Sequence, residues 1–152
     1  MPNLGQVVAI DTATRSIVAT FGGVGLIPNR IVVAPDGGRA YVTNNASASV
    51  AALDLVTNTV VTSIAVATIP NVLAISPDGS RVYVTSADTN AVTIIDTAGD
   101  TVINTINVGS PSRGAAINFA GTLLYVTAGP TSSVGTVSVF AIGDLGANPT
   151  ST

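Results

Sequence analysis

Three aspartates, Asp11, Asp54 and Asp96, recur at intervals of 43 and 42 residues, and a ring of carboxylates is the kind of donor set that a calcium ion takes. Arg39 and Arg81 lie 42 residues apart and would suit repeated anion ligands, for example for an acidic glycan. Tyr41, Tyr83 and Tyr125 keep the same interval and offer flat rings on which sugars could stack. Serines 47, 49, 132 and 133 carry potential nucleophiles, but the chain has no His and no Cys, all its acids are Asp and all its bases are Arg. A serine here lacks the base that would activate it. The glycines of Phe21-Gly22-Gly23-Val24-Gly25-Leu26 look superficially like a phosphate cradle. Such cradles join a strand to a helix, whereas this stretch joins two strand patterns.

For each of these sets a plainer use is available, and regular recurrence favours it. Each of Asp11, Asp54 and Asp96 closes a strand pattern, where an aspartate accepts from its own downstream backbone N–H groups. Carboxylates at equivalent ends of successive units also stand too far apart to share one ion. Asp36 and Asp78, inside Pro-Asp-Gly turns, read the same way. Arg39 and Arg81 are expected to pair with a turn aspartate or to cover apolar surface. The tyrosines are expected to pack between units with the hydroxyl satisfied at an edge. Asn45-Ala46-Ser47 matches an N-glycan acceptor pattern in a loop. The expected site inventory is therefore empty: no catalytic, cofactor-binding or metal-ligating residue. No tight transition-metal site is expected, and any calcium should bind weakly at the periphery.

The recurrence itself defines the scaffold. Tyr-Val-Thr occurs at 41–43, 83–85 and 125–127, and a period near forty residues in Val, Ile and Thr punctuated by Gly and Pro marks a β-propeller blade. One unit reads as an apolar run at 71–76, a tight turn at Pro77-Asp78-Gly79-Ser80, and strands at 81–85, 91–95 and 101–106. The unit before it repeats this at 29–34, 39–43, 50–53 and 59–64, and the unit after it at 115–119, 123–127 and 134–140, with no fourth strand. The segments 6–10 and 16–21 match the third and fourth strands of another unit, giving thirteen strands. The expected fold is all-β, a β-propeller of four-stranded antiparallel blades that is incomplete within one chain. The expected organisation is a partial propeller over 1–142, comprising a split blade at 1–28, blades at 29–70 and 71–112 and an incomplete blade at 113–142, followed by a C-terminal tail at 143–152. Residues 71–76 should lie near the axis, as a strand apolar on both faces, and 101–106 outermost.

Composition bounds the partners. The chain has 152 residues, 47% of them hydrophobic and 9% charged, with a net charge of −3, enough apolar content for a substantial core. No basic cluster offers a footprint for nucleic acid or an anionic membrane. No run of about eighteen apolar residues would span a bilayer. The absence of cysteine fits either redox compartment. The opening residues Met1-Pro2-Asn3-Leu4-Gly5 carry no charged leader pattern. Scarce charge with abundant Thr suits an exported protein.

Tyr41-Val42-Thr43-Asn44, preceded by Pro35-Asp36-Gly37-Gly38-Arg39 and followed by Leu53-Asp54, resembles the YVTN family of β-propeller repeats. So does Ser76-Pro77-Asp78-Gly79-Ser80-Arg81-Val82-Tyr83-Val84-Thr85. The third copy departs from the pattern, with Asn118-Phe119-Ala120-Gly121-Thr122-Leu123 in place of the Pro-Asp-Gly-x-Arg segment. The resemblance implies a scaffold or interaction module of a prokaryotic surface-layer or other exported protein, with an extracellular or cell-surface location. Related propellers include lactonases and enzymes that hold haem or copper, but their cofactor ligands are His, which this chain lacks, so no cofactor and no enzymatic activity are expected. The alternatives are a propeller hydrolase using Asp, Arg, Asn and bound metal, and an excised or engineered fragment with no role beyond assembly. The expected partner is the chain itself, as a homodimer closing a six-bladed ring, with an open filament second. A protein or glycan ligand of unknown kind would use the loops.

Overall fold

The structure, a computed structural model, describes residues 5–129 and 134–145. β1 (Gln6–Ile10) and β2 (Ile17–Gly22) form a hairpin. Blade 1 is β3 (Pro28–Val33), β4 (Arg39–Asn44), β5 (Ser49–Asp54) and β6 (Thr59–Ala65). Blade 2 is β7 (Pro70–Ile75), β8 (Arg81–Ser86), β9 (Ala91–Asp96) and β10 (Thr101–Asn107). Blade 3 shows three strands among the described residues, β11 (Ser112–Ile117), β12 (Leu123–Ala128) and β13 (Thr136–Ala141). Every pairing is antiparallel between sequence neighbours, and the only helix among the described residues is a single 3₁₀ turn at Ile142–Asp144. This is the expected fold: all-β, with four-stranded blades that do not close into a ring.

The repeated sequence elements have repeated mechanical roles. In the first strand-to-strand turn, Gly37 and Gly79 take positive φ (75° and 74°), and their N–H groups donate to Ala34 and Ser76 carbonyls at 2.8 Å. The third copy keeps this backbone without the Pro-Asp-Gly sequence. Gly121 (φ 69°) donates to the Asn118 carbonyl at 2.9 Å, and the Asn118 side-chain oxygen accepts from Thr122 and Leu123 N–H groups at 2.8 and 2.9 Å. An amide two positions upstream thus does the work that Asp36 and Asp78 do in their own turns. The threonine of the triplet also has a task. β3 and β7 each shift register against their neighbour, and the Thr43 and Thr85 hydroxyls accept the backbone N–H of Arg30 and Val72 there, both at 3.1 Å.

Three apolar layers hold the arc together, one at each junction. Phe21 and Val24 pack on Ala40, Val42, Ala51 and Leu53 of blade 1. The opposite face of blade 1 (Tyr41, Val50, Ala52, Ile64) packs on Leu73, Val82, Val84 and Ile95 of blade 2. The opposite face of blade 2 (Tyr83, Val92, Ile94, Ile106) packs on Leu124, Val126 and Ala128 of blade 3. Inner strands β3, β7 and β11 stand side by side, while outer strands β6 and β10 barely touch, as expected for strands radiating from an axis.

Two expectations need adjustment. The strands buried on both faces are the middle ones, β4, β5, β8 and β9, whereas β7 is only partly covered and β3 is largely exposed. An innermost strand packs its faces on the inner strands of neighbouring blades; β7 lies between β3 and β11, whereas β3 has an inner strand, β7, on one side only among the described residues. The second concerns the expected tail from 143: the 3₁₀ turn seats Ile142 and Leu145 in the apolar layer between blades 2 and 3. Residues 146–152 lie outside the described residues.

Candidate functional site

A charged side-chain cluster joins blades 1 and 2. Asp100, in the β9–β10 turn of blade 2, reaches across to blade 1, where its carboxylate pairs with the Arg39 guanidinium and accepts from the Tyr41 hydroxyl at 2.9 Å. β4 places Arg39 and Tyr41 on one face because residues two apart on a strand point the same way. Asp100 itself holds φ at 50°, a left-handed conformation shared by its repeat equivalents Arg15 (60°) and Asn58 (56°), so the turn is common and the reach is specific to the carboxylate. The Asp100 side chain is 9% exposed and that of Arg39 36% exposed. Bonding to Asp100 holds the Arg39 pKa above its ordinary value, and burial, then the same carboxylate, push Tyr41 well up. Both groups stay protonated and donate: the cluster is a charged buckle between blades.

The next junction repeats the donors without the acceptor. Arg81 and Tyr83 stand on β8 as Arg39 and Tyr41 stand on β4, but the position equivalent to Asp100 is Leu145, itself buried. The Tyr83 hydroxyl is buried with no hydrogen-bond partner. Tyr83 lines a cleft of about 840 Å³ together with Arg81, Asp78, Ser80, Thr122 and Ile142. Asp78 is held by the hydroxyls of Ser76 and Ser80 and the Ser80 N–H; the Ser76 bond is the main reason its pKa lies below the ordinary carboxylate value. The third tyrosine, Tyr125, has no blade opposite among the described residues and is 37% exposed, against 0% for Tyr41 and Tyr83. The expectation of packed rings with satisfied hydroxyls thus describes Tyr41 alone.

The remaining candidates stay local. Asp11 accepts from the N–H groups of Ala13 (2.9 Å) and Thr14 (2.7 Å), Asp54 from those of Val56 (2.9 Å) and Thr57 (2.8 Å), and Asp96 from that of Gly99 (3.1 Å). The Thr14 and Thr57 N–H bonds keep Asp11 and Asp54 below the usual range. Each closes its own turn, and among the described residues no three acidic side chains gather as a metal cage. Asp36 accepts from Gly38 N–H at 2.9 Å. The glycine stretch after β2 packs against Asn44, whose amide donates to the Val24 carbonyl at 2.7 Å. A Cβ at Gly25 (φ 135°) would stand 2.5 Å from Asn44 Cγ, so glycine there serves close packing. In the glycan-acceptor pattern, the Ser47 hydroxyl accepts from Leu26 N–H at 2.7 Å and the Asn45 Oδ1 is buried, so this segment is tied into the fold. Ser49 is buried; serines 132 and 133 lie outside the described residues.

Sequence reasoning missed Asp100. Its signal was a break in the repeat: the fourth residue after the end of β9 is Asp, where the equivalent positions hold Arg15, Asn58 and Leu145.

Radiating four-stranded blades, joined in sequence order and open at both ends, define a partial β-propeller. The chain belongs to the YNCE-like beta-propeller family, whose model matches residues 8–120. No curated protein matches it. Among solved structures it is similar to Kuenenia stuttgartiensis hydrazine synthase, with 27% identity over 91% of this chain and a TM-score of 0.87. The chain spans 40% of the length of that structure.

Proposed function

We propose that this chain is a non-enzymatic β-propeller scaffold or protein-interaction module of an exported or cell-surface protein, and that two copies join by strand complementation. The observation that supports the reading is the pair of exposed apolar faces at the two ends of the described strands. On blade 3, Tyr125, Val137 (64% exposed) and Val139 (52%) form the same face that Tyr41, Val50 and Ala52 bury at the blade 1–2 junction. At the other end, Val8 and Ile10 of β1 point away from blade 1 and are exposed.

β1 and β13 are equivalent third strands, so they compete for one place beside β2. The exchange is like for like: β13 of one copy replaces β1 in pairing with β2 of the other. Val137 and Val139 then take the positions of Val7 and Ala9 against Ala40 and Val42. Hydrogen bonds are conserved in number, and because Val7 and Ala9 give up their packing as Val137 and Val139 take it, the apolar gain is the Val-for-Ala difference together with the cover placed over Tyr125. The hybrid blade joins β11, β12 and β13 to the donated β2, and two such junctions close a six-bladed ring. Free strand edges at both ends otherwise invite uncontrolled pairing. Neutral, Thr- and Asn-rich loops supply hydrogen-bonding surface for a protein or glycan ligand.

Light scattering of the purified chain tests the assembly. The reading expects twice the 15.0 kDa chain mass at micromolar concentration, and monomer after deletion of residues 1–21. A stable monomer for the intact chain overturns the assembly, and an unlimited mass series replaces the ring with the filament that a non-closing heterologous junction produces.

A further inference from the structure

We propose that the cleft between blades 2 and 3 binds a small carboxylate-bearing molecule, its carboxylate seated between the Arg81 guanidinium and the Tyr83 hydroxyl as Asp100 is seated between Arg39 and Tyr41. Three observations carry this. First, the molecule contains the filled version of the site, in which the same two residue types at the same two strand positions hold a carboxylate. Second, Tyr83 is one of the residues lining the cleft, and its hydroxyl is a buried donor with no acceptor among the described residues, whereas buried polar groups are ordinarily paired. Third, the position that Asp100 holds in the blade 2 turn is held in blade 3 by Leu145, a side chain with no carboxylate.

The remaining walls narrow the ligand. A volume of about 840 Å³ lies in the range that receives small organic molecules. The Thr122 hydroxyl, which accepts from the Asn118 amide, keeps its own proton to donate to a polar substituent, and Ile142 adds an apolar contribution to the lining. Asp78 contributes a negative charge to the same cleft, which disfavours a dianionic phosphate and favours a single carboxylate. That charge does not bar binding, because Asp36 occupies the equivalent turn at the junction where Asp100 is seated. Burial pushes the Tyr83 pKa up, so the hydroxyl is protonated and donates across the neutral range. The cleft lies within one chain, so this inference stands or falls independently of the two-copy assembly.

The test is an NMR titration of the full isotope-labelled chain with acetate, succinate and inorganic phosphate. The expected result is a saturable shift of the Arg81 side-chain N–H and the Gly121 and Thr122 amides with acetate and succinate, weaker with phosphate, and an unmoved Arg39 side chain, whose place is already occupied. Arg81→Gln should abolish saturation, and Tyr83→Phe should weaken binding at least about tenfold, the worth of a hydrogen bond to a charged acceptor. Leu145→Asp, which restores an internal carboxylate, should block acetate; should that variant not fold, the Arg81 and Tyr83 variants still decide. Non-saturable shifts, equal response in Arg81→Gln, or phosphate binding as tightly as acetate would overturn the proposal.

Discussion

The blade 1–2 junction and the outer face of blade 3 are made from the same repeat positions and end in opposite states. At the junction, Tyr41 is sealed under blade 2 and tied to Asp100; on blade 3, Tyr125 stands exposed with Val137 and Val139, uncovered by any described residue. The strand pattern alone therefore does not make a blade face part of a core. What completes it is the next blade, which brings both an apolar surface (Leu73, Val82, Val84) and a turn that can deliver a charge. The blade 2–3 junction is intermediate, with the apolar surface present and the charge replaced by Leu145.

The largest effect should come from closing off the open face. Val139→Asp puts a carboxylate where the proposed partner copy would pack, and burial of an unpaired charge is prohibitive. The expected outcome is loss of the dimer by sedimentation with blades 1 and 2 still folded. At the sealed junction, Asp100→Ala removes the acceptor from two donors at once and should lower stability by about 2 to 3 kcal/mol, read from urea unfolding. Tyr41→Phe deletes one of those bonds and should cost about 1.5 kcal/mol. Tyr83→Phe removes a hydroxyl that has no partner, so its effect should stay within about 0.5 kcal/mol and tend toward stabilisation. Equal losses for the two tyrosine variants would erase the distinction between the junctions.

The architecture was legible because a blade is a local object. Strand, turn and period lie within some forty residues, so Tyr41, Tyr83 and Tyr125 announce the repeat and its thirteen strands. The contacts between blades were not legible in the same way. Arg39 was expected to find a turn aspartate, but nothing local says that the partner is Asp100, 61 residues on, rather than Asp36 in its own turn. Nor does the sequence after 141 show that Leu145 returns to the core; the 3₁₀ turn that carries it there has no strand periodicity. In the third copy, Asn118 preserves a turn whose usual residues are absent, because an amide can cap the same N–H groups from a different position.

The smallest effect should be on acid stability. Asp11, Asp54 and Asp78 have folded-state pKa values depressed below the ordinary 3.8 by N–H and hydroxyl donors. Their stabilising contribution is fully present above that value and is lost as pH falls from it through the lowered folded-state values. Urea midpoints should therefore hold steady through the neutral range and decline only on the acid side of 3.8. Asp78→Asn should make that decline shallower.

Strand exchange at the unfinished ends is most directly read by hydrogen–deuterium exchange resolved to single amides. In the two-copy assembly, the amides of β13 (Thr136–Ala141) that point away from β12 bond to β2 of the other copy, and those of β1 (Gln6–Ile10) lose their partner. The account predicts slow exchange along both edges of β13 and fast exchange throughout β1 at concentrations where the dimer forms. Fast exchange on the outer edge of β13 with β1 protected would contradict it, leaving β1–β2 paired within its own chain and blade 3 unfinished.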